Sequence, residues 1–233
     1  MSGLRMTRID FLRRMGVASL MLFALQALPV AAHDKQEEDK VALLEAVLRD
    51  DAKGVERLIL QGVDPNVREV ERGPAIVLAA TENSFNALRE LLKAPGLDLE
   101  ATNARGETAL MMAAFRGHDP SVQRLIEKGA AVNRSGWTPL QYAASNGRVD
   151  TIQLLIKSKA DLDAVSDNGT TAMMLAARMG HLSAYQELLL AGADPTLRNQ
   201  SGLSAADYLD RRGETDRAER LRRYAETFKK KTP

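Results

Sequence analysis

The side chains best suited to catalysis or metal binding are few in this chain. It contains three histidines, His33, His118 and His181, and no cysteine. The lack of cysteine excludes disulfides, thiolate metal sites and haem attachment. No His-Glu-x-x-His helix, Gly-x-Ser-x-Gly elbow or phosphate-binding Gly-x-x-x-x-Gly-Lys loop occurs either. The sequence therefore predicts that the protein is not an enzyme, with no catalytic residue, no metal site and no cofactor.

The most regular feature of the chain is a phrase that occurs three times. It reads Gly-Glu-Thr-Ala-Leu-Met-Met-Ala-Ala from Gly106, Gly-Trp-Thr-Pro-Leu-Gln-Tyr-Ala-Ala from Gly136 and Gly-Thr-Thr-Ala-Met-Met-Leu-Ala-Ala from Gly169. Related copies begin at Arg72 and Gly202. A fixed period in this range predicts a solenoid, in which each unit buries its apolar face against its neighbours.

The residue types within each copy predict a pair of helices. Thr138 has a hydroxyl that suits the N-cap of the first helix, and Pro139 is tolerated in the first turn because its missing N–H would have no partner there. A second helix is predicted by apolar residues at helical spacing, such as Ile152, Leu155 and Ile156. Glycines that suit a left-handed helix end follow each first helix, at Gly117, Gly147 and Gly180.

The repeated phrase resembles the ankyrin repeat. Thr138-Pro-Leu-Gln-Tyr-Ala-Ala is close to that family's Thr-Pro-Leu-His-x-Ala-Ala, and Gly192-Ala-Asp-Pro matches its Gly-Ala-Asp step. The resemblance covers residues 39–223. It implies an all-α solenoid of helix-turn-helix units joined by short β-hairpin fingers, and His118 and His181 packed between helices. It also implies a non-enzymatic role in binding another protein.

The repeat spacing divides the chain into segments. We expect a leader over residues 1–32, a charged linker over 33–38, a repeat domain over 39–223 and a basic tail over 224–233. The repeat units are expected near residues 39–71, 72–105, 106–135, 136–168, 169–201 and 202–223, and are numbered 1 to 6 below. Unit 3 is three residues short, and the deletion falls between Val132 and Trp137. A stubby finger, and so a notch in the groove, is expected beside Trp137.

The first 32 residues are typical of an export signal. Four arginines precede an uncharged run from Met15 to Ala32, which ends in the small residues Val30-Ala-Ala. This pattern predicts a signal peptide cleaved after Ala32, and the alternative is an uncleaved membrane anchor. The upstream positive charge places the rest of the chain outside the cytoplasm in both cases. With a bacterial type of signal, we expect a periplasmic protein.

The charge balance limits the classes of partner. The full chain has 32 basic and 31 acidic residues. Without residues 1–32, which contain four arginines and one aspartate, it has 28 basic and 30 acidic residues. A slightly acidic, exported chain is a poor candidate for nucleic-acid binding. We therefore expect a protein partner of unknown identity, no nucleic acid, no membrane span after cleavage, and a monomer.

The resemblance also implies where a partner would bind. Ankyrin repeats use the tips of the fingers and the exposed ends of the first helices, where aromatic, methionine and arginine side chains are typical of binding hot spots. Carried over by position, the candidate partner-binding residues are Arg105, Glu107, Phe115, Arg116, Trp137, Asn146, Arg178, Met179, Arg211 and Arg212. Four of these arginines lie in one row at the ends of first helices and would suit an acidic patch on the partner: Arg116, Arg178, Arg211 and Arg212.

Two alternatives remain open on the sequence alone. Trp137 could pack onto the shortened finger, and the arginines could form a solvated face paired with nearby carboxylates. Among functions, exported ankyrin proteins are associated with support of catalase-type redox enzymes and with neutralising secreted toxins. The sequence permits either role, or a general scaffold.

Overall fold

In a computed structural model of the protein, residues 35–229 are described. They form twelve α-helices and one two-stranded antiparallel hairpin. None of the helices in this part of the chain has the length and apolar character needed to cross a membrane. The expected leader and its cleavage site, His33, and the last residues of the basic tail lie outside the described range.

The helices alternate along the chain as the first and second members of successive pairs. The first helices are α1 (residues 35–48), α3 (Ala75–Thr81), α5 (Ala109–Arg116), α7 (Pro139–Ser145), α9 (Ala172–Met179) and α11 (Ala205–Arg211). The second helices are α2 (Ala52–Leu60), α4 (Phe85–Leu91), α6 (Asp119–Glu127), α8 (Val149–Lys157), α10 (Leu182–Leu190) and α12 (Thr215–Lys229).

The caps expected from the repeated phrase are present. The hydroxyl of Thr138 accepts a hydrogen bond from the amide of Gln141 at 3.3 Å, and the Gln141 side chain accepts one from the amide of Thr138 at 2.9 Å. This reciprocal capping box satisfies two amides that the first turn leaves unpaired. The glycine that ends α5, Gly117, has a φ of 73°, in the left-handed region that side chains disfavour.

The first helices pack against one another in a continuous row from α3 to α11. Paired alanines in the middle of each helix make this close approach possible, because they bring no bulk between the helix axes. Ala113, Ala114, Ala143 and Ala144 are fully buried. One apolar core therefore runs the length of the stack, from Leu43 to Leu221, as expected for a solenoid.

The fingers vary in regularity. Within the described residues, only the finger of unit 1 pairs as strands, β1 (Arg68–Glu69) with β2 (Gly73–Pro74). Other fingers are turns closed by two backbone hydrogen bonds, such as those from Asn103 N to Glu107 O at 3.1 Å and from Gly106 N to Asn103 O at 3.0 Å. The shortened finger at residues 131–137 has no internal backbone hydrogen bond of this kind. The expected β-hairpins are thus reduced to turns in most units.

Both ends of the stack are more helical than the sequence indicated. Residues 35–38, expected as a linker, are already part of α1. At the other end, α12 continues to Lys229 through the first half of the expected tail. The extension has a physical cause. Leu221, Tyr224 and Phe228 are three and four residues apart, so they lie on one side of the helix, and the ring centroids of Tyr224 and Phe228 lie 6.2 Å apart.

Candidate protein-binding surface

Three aromatic rings meet where units 3 and 4 join. Tyr142 lies at the centre, with the ring of Trp137 edge-on at 5.7 Å and the ring of Phe115 edge-on at 6.4 Å. Such T-shaped pairs are the favoured geometry for aromatic side chains. We call Phe115, Trp137 and Tyr142 the aromatic cluster. Trp137 remains 38% exposed, so one large ring of the cluster is available to a partner.

A carboxylate fixes the cluster from the side of unit 3. The hydroxyl of Tyr142 donates to Glu107 Oε1 at 2.9 Å, and Asn103 Nδ2 donates to Glu107 Oε2 at 2.6 Å. Burial and this hydrogen bond to an anion both raise the pKa of Tyr142 well above its usual value. The phenol therefore stays protonated and keeps donating, which holds its ring in one orientation.

Neighbouring first helices place these residues together. Trp137 directly precedes Thr138, the N-cap of α7, and Tyr142 lies one turn into that helix. Glu107 occupies the corresponding position before Thr108, the N-cap of α5. Because α5 and α7 pack side by side, the N-terminal end of one helix faces that of the other.

A second group of candidates bonds to the backbone of the preceding unit. Asn146 Nδ2 donates to the carbonyl of Phe115 at 2.8 Å, and Arg212 Nη1 donates to the carbonyl of Arg178 at 3.3 Å. The Arg116 guanidinium donates likewise to the carbonyl of Thr81. Each acceptor lies at the end of a first helix, where carbonyls lack helical partners and positive charge is favoured. Arg116, Asn146 and Arg212 thus have a structural role in addition to any role in binding.

The remaining candidates are more accessible. Arg105, Arg178 and Arg211 are exposed, and Met179 is 49% exposed. None of these three arginines forms an ion pair within residues 35–229. The structure brings Glu107, Phe115 and Trp137 together around Tyr142. Asn146 bonds to Phe115 beside this group, and Arg105 shares a cleft with Glu107. The candidates in units 5 and 6 lie apart from it: Arg178, Met179, Arg211 and Arg212.

The ring of Trp137 contacts Tyr142 of its own unit and remains 38% exposed. The charge-paired alternative fails for the arginine row, since none of Arg116, Arg178, Arg211 and Arg212 pairs with a carboxylate within the described residues. The row therefore includes unneutralised positive charge.

A cleft extends the surface toward unit 2. It has a volume of about 330 Å³ and is lined by residues that include Leu78, Glu82, Arg105, Glu107 and Met112. Its apolar floor and mixed charged rim are the usual composition of a protein-contact surface. Glu107 belongs to both this cleft and the environment of Tyr142, so the two features are continuous.

The described histidines pack between helices, as expected. The ring of His118 stacks on Phe85 with centroids 3.6 Å apart, and its Nδ1 lies 2.8 Å from Ser121 Oγ. Burial lowers the pKa of His118. A Cβ on Gly147 would lie only 2.7 Å from the ring of His181, which shows how closely that ring covers the helix end. No cluster of potential metal ligands occurs in residues 35–229.

Comparison with known sequences agrees with this architecture. A family model described as ankyrin repeats in three copies matches residues 43–135 and 131–199. The chain belongs to the ankyrin repeat family. Ankyrin repeats generally mediate protein–protein interaction.

The curated relatives share the ankyrin repeats and are much longer proteins. Ankyrin repeat and SAM domain-containing protein 6 of Mus musculus is 34% identical over 114 residues, 47% of this chain and 13% of that protein. B-cell lymphoma 3 protein homolog of Mus musculus is 31% identical over 158 residues, 65% of this chain and 35% of that protein. The chain therefore spans well under half the length of either relative.

Sequence reasoning missed Tyr142, the residue around which the ankyrin surface is organised. A signal was available, because Tyr142 occupies the variable position of Thr-Pro-Leu-His-x-Ala-Ala. The corresponding positions hold Leu78, Met112 and Leu175, which are almost fully buried. Tyr142 and Tyr208 are the larger, polar-tipped side chains at this position, and only the packing of α5 against α7 revealed the contact of Tyr142 with Glu107.

Proposed function

We propose that this ankyrin repeat protein is a non-enzymatic scaffold that binds a partner protein outside the cytoplasm. Binding would use the fingers and first-helix ends centred on the aromatic cluster. The observation that carries the proposal is the exposed ring of Trp137, held by Tyr142 beside a finger that lacks three residues. A large ring in a fixed orientation loses little conformational entropy when a partner covers it.

The charges suggest the complementary surface. Arg178 and Arg211 are exposed at the ends of first helices and Arg105 is exposed on a finger, and none of the three has an ion-pair partner within residues 35–229. Arginine at the rim of an interface favours encounter with an acidic surface and selects against a basic one. We therefore propose a partner with an acidic patch next to an apolar contact for Trp137.

The extracellular location rests on the leader-like segment. Residues 1–32 combine upstream arginines, an apolar run and small residues before a charged segment, as export signals do. A chain without cysteine is compatible with an oxidising compartment, because it has no thiol to be oxidised. In a bacterial host, the location would be the periplasm.

The test is affinity capture from a periplasmic extract, followed by calorimetry with the captured protein. Trp137→Ala should weaken binding by about tenfold or more, as truncation of a hot-spot aromatic does. Arg178→Ala should weaken it less, and more so at low salt than at high salt. Circular dichroism would establish that both variants are folded.

Lys157→Ala is a matched control, because Lys157 is exposed on the second helix α8, away from this row. It should bind as the unmodified protein does. Equal affinity for Trp137→Ala and the control would rule out this surface. Capture of a haem enzyme that retains activity in the complex would indicate an accessory factor, whereas inhibition of a captured hydrolase would indicate immunity.

A further inference from the structure

The second helices of the last two units, α10 and α12, enclose an apolar cleft on the face of the stack opposite the first helices. α12 packs mainly on α11 and diverges from α10, whereas the earlier second helices pack on one another. The resulting cleft has a volume of about 270 Å³. Its apolar lining comes from Tyr185 and Leu189 on α10 and from Leu221 and Tyr224 on α12. We call it the C-terminal cleft.

The residue types in the cleft differ from those of the other units. Tyr185 occupies the position that holds Val122 in α6 and Ile152 in α8, so it is the bulkiest side chain of that row. Tyr224 is 45% exposed although it lies beside the buried Leu221. Tyrosine at a half-open apolar cleft is typical of interface centres.

Arginines form the rim of the cleft. Arg217 pairs with Glu214, whereas Arg220 is exposed and has no ion pair within residues 35–229. Burial raises the pKa of the Tyr185 hydroxyl to about 12, while Arg220 and Arg217 act in the opposite direction, so both cations lie close to this phenol. The cleft is thus apolar inside and positive at its edge.

The opposite end of the molecule presents a complementary surface. Glu38, Val41, Glu45 and Leu48 are spaced three or four residues apart on α1, which places them on one side of the helix. All four are exposed, with Val41 at 51% and Leu48 at 42%. Glu38 has no ion pair within the described chain, and Glu45 pairs only with Arg49, one turn away, at 3.0 Å. We call these four residues the N-terminal stripe.

We propose that the C-terminal cleft of one molecule binds the N-terminal stripe of a second copy. Val41 and Leu48 would cover the apolar cleft, and Glu38 and Glu45 would face Arg217 and Arg220. The two surfaces match in charge and in apolar character, and an amphipathic helix is a common ligand of an apolar groove.

The two surfaces lie at opposite ends of a stack in which each unit contacts only its neighbours. The contact is therefore between different patches of two molecules, and repetition of such a contact produces open chains unless the rotation closes a ring. The basic segments of the same chain, around Arg13-Arg14 and Lys230-Lys231, are poorer occupants, because the arginine rim would repel them.

Sedimentation velocity over a wide range of protein concentration tests the proposal. The unmodified protein should associate as its concentration rises. Arg220→Glu should shift this association to concentrations about tenfold higher or more, because a favourable charge contact becomes a repulsion. The double variant Glu38→Lys/Glu45→Lys should have the same effect from the other side of the contact.

A mixture provides the decisive control. Arg220→Glu molecules keep the acidic stripe, and Glu38→Lys/Glu45→Lys molecules keep the basic cleft, so mixing them should restore association that neither shows alone. Lys157→Glu makes the same charge change on α8 and should associate normally. Three results would overturn the proposal. The unmodified protein could stay monomeric at every concentration, Arg220→Glu could associate as strongly as the unmodified protein, or the mixture of the two variants could stay monomeric. The experiment is independent of the partner-binding row, and Trp137→Ala should not alter the association.

Discussion

In the middle of the stack, the side-chain amide of Asn146 and the guanidinium of Arg148 both donate to the carbonyl of Phe115, whereas at the C-terminal end the guanidinium of Arg212 donates to the carbonyl of Arg178. The surroundings of these helix ends also differ. The central region, residues 106–168, is fixed by the aromatic rings around Tyr142 and by the hydrogen bond from its hydroxyl to the Glu107 carboxylate. The C-terminal region, residues 202–229, is fixed by ions, with Arg222 bonded to Asp207 at 3.1 Å and also to Asp210.

The carbonyl at the end of a first helix needs a hydrogen-bond donor, and different side chains supply that donor in the two regions of this repeat fold. Central units have neighbours on both sides and can bury rings between helices. The last unit has a neighbour on one side only, so water reaches its outer surface and charged pairs cost less to form there. The stability of the two regions should therefore respond differently to truncation of a core side chain, to an added methyl group at a helix-ending glycine, and to pH.

The largest expected difference comes from truncating the core. Leu155 is fully buried in α8 and Leu221 is 2% exposed in α12. Leu155→Ala should lower the free energy of unfolding by about 3 to 4 kcal/mol, and Leu221→Ala by about 2 kcal/mol, since the end helix can relax toward the cavity. Urea unfolding followed by circular dichroism measures both. Equal losses would show that the last unit is as tightly packed as the middle.

An added methyl group at a helix-ending glycine should give the next largest difference in stability between the two regions. Gly147 and Gly213 both have a positive φ, 66° and 80°, so alanine at either costs about 1 kcal/mol for the left-handed conformation. A Cβ at Gly147 would also approach His181 to 2.7 Å, whereas no atom of residues 35–229 lies within 4 Å of one at Gly213. We expect Gly147→Ala to cost about 2 to 3 kcal/mol, because the His181 ring must shift. Thermal unfolding of the two variants gives the comparison, and similar melting temperatures would contradict it.

The two regions should lose stability over different pH ranges. Burial alone would raise the pKa of Asp207, but hydrogen bonds from Ser204 and Arg222 outweigh burial and lower it to about 2. A lowered carboxyl pKa stabilises the folded state above the unfolded value of about 3.9 and loses that contribution as the pH falls toward 2. The C-terminal region should therefore weaken between about pH 4 and pH 2, by about 1 to 2 kcal/mol.

As the pH falls, the central region should begin to weaken at a higher pH than the C-terminal region does. Burial lowers the pKa of His118, so its neutral form is favoured in the folded state. Stability is then lost as the pH falls from about 6.5, the unfolded value, through the lowered folded value. Hydrogen exchange at several pH values reports the two regions separately. His118→Gln should remove the first transition and Asp207→Asn the second, and a single shared transition would contradict the distinction.

The smallest expected difference concerns two tyrosines at the same repeat position. The Tyr142 hydroxyl donates to the Glu107 carboxylate at 2.9 Å, while the Tyr208 hydroxyl accepts from Asn199 Nδ2 at 2.9 Å. A bond to a charged group is the stronger, so Tyr142→Phe should cost about 1.5 kcal/mol and Tyr208→Phe about 1 kcal/mol or less. Denaturant titration of both proteins measures this. A larger loss for Tyr208→Phe would reverse the assignment of the stronger bond.

Local features of the chain predicted most of the helical framework. The cap at Thr138 and the helix-ending Gly117 depend on neighbours a few residues away, and the structure confirms them. The reach of α12 to Lys229 was missed, because the sequence around Arg222 looked polar and its two carboxylate partners lie 12 and 15 residues away. The site was harder to predict, since exposure and pairing of each arginine depend on the preceding unit.

The sequence by itself determined the family, the period and the positions of caps and helix ends, because these follow from residue types within one repeat. Only the tertiary structure decided which candidate side chains are committed to the scaffold. Arg116 and Arg178 occupy neighbouring places in the same motif, yet Arg116 bonds to the carbonyl of Thr81 while Arg178 remains exposed. The reason is distance, since these bonds join residues 31 to 35 positions apart, which only the stacking of one unit on the next brings into contact.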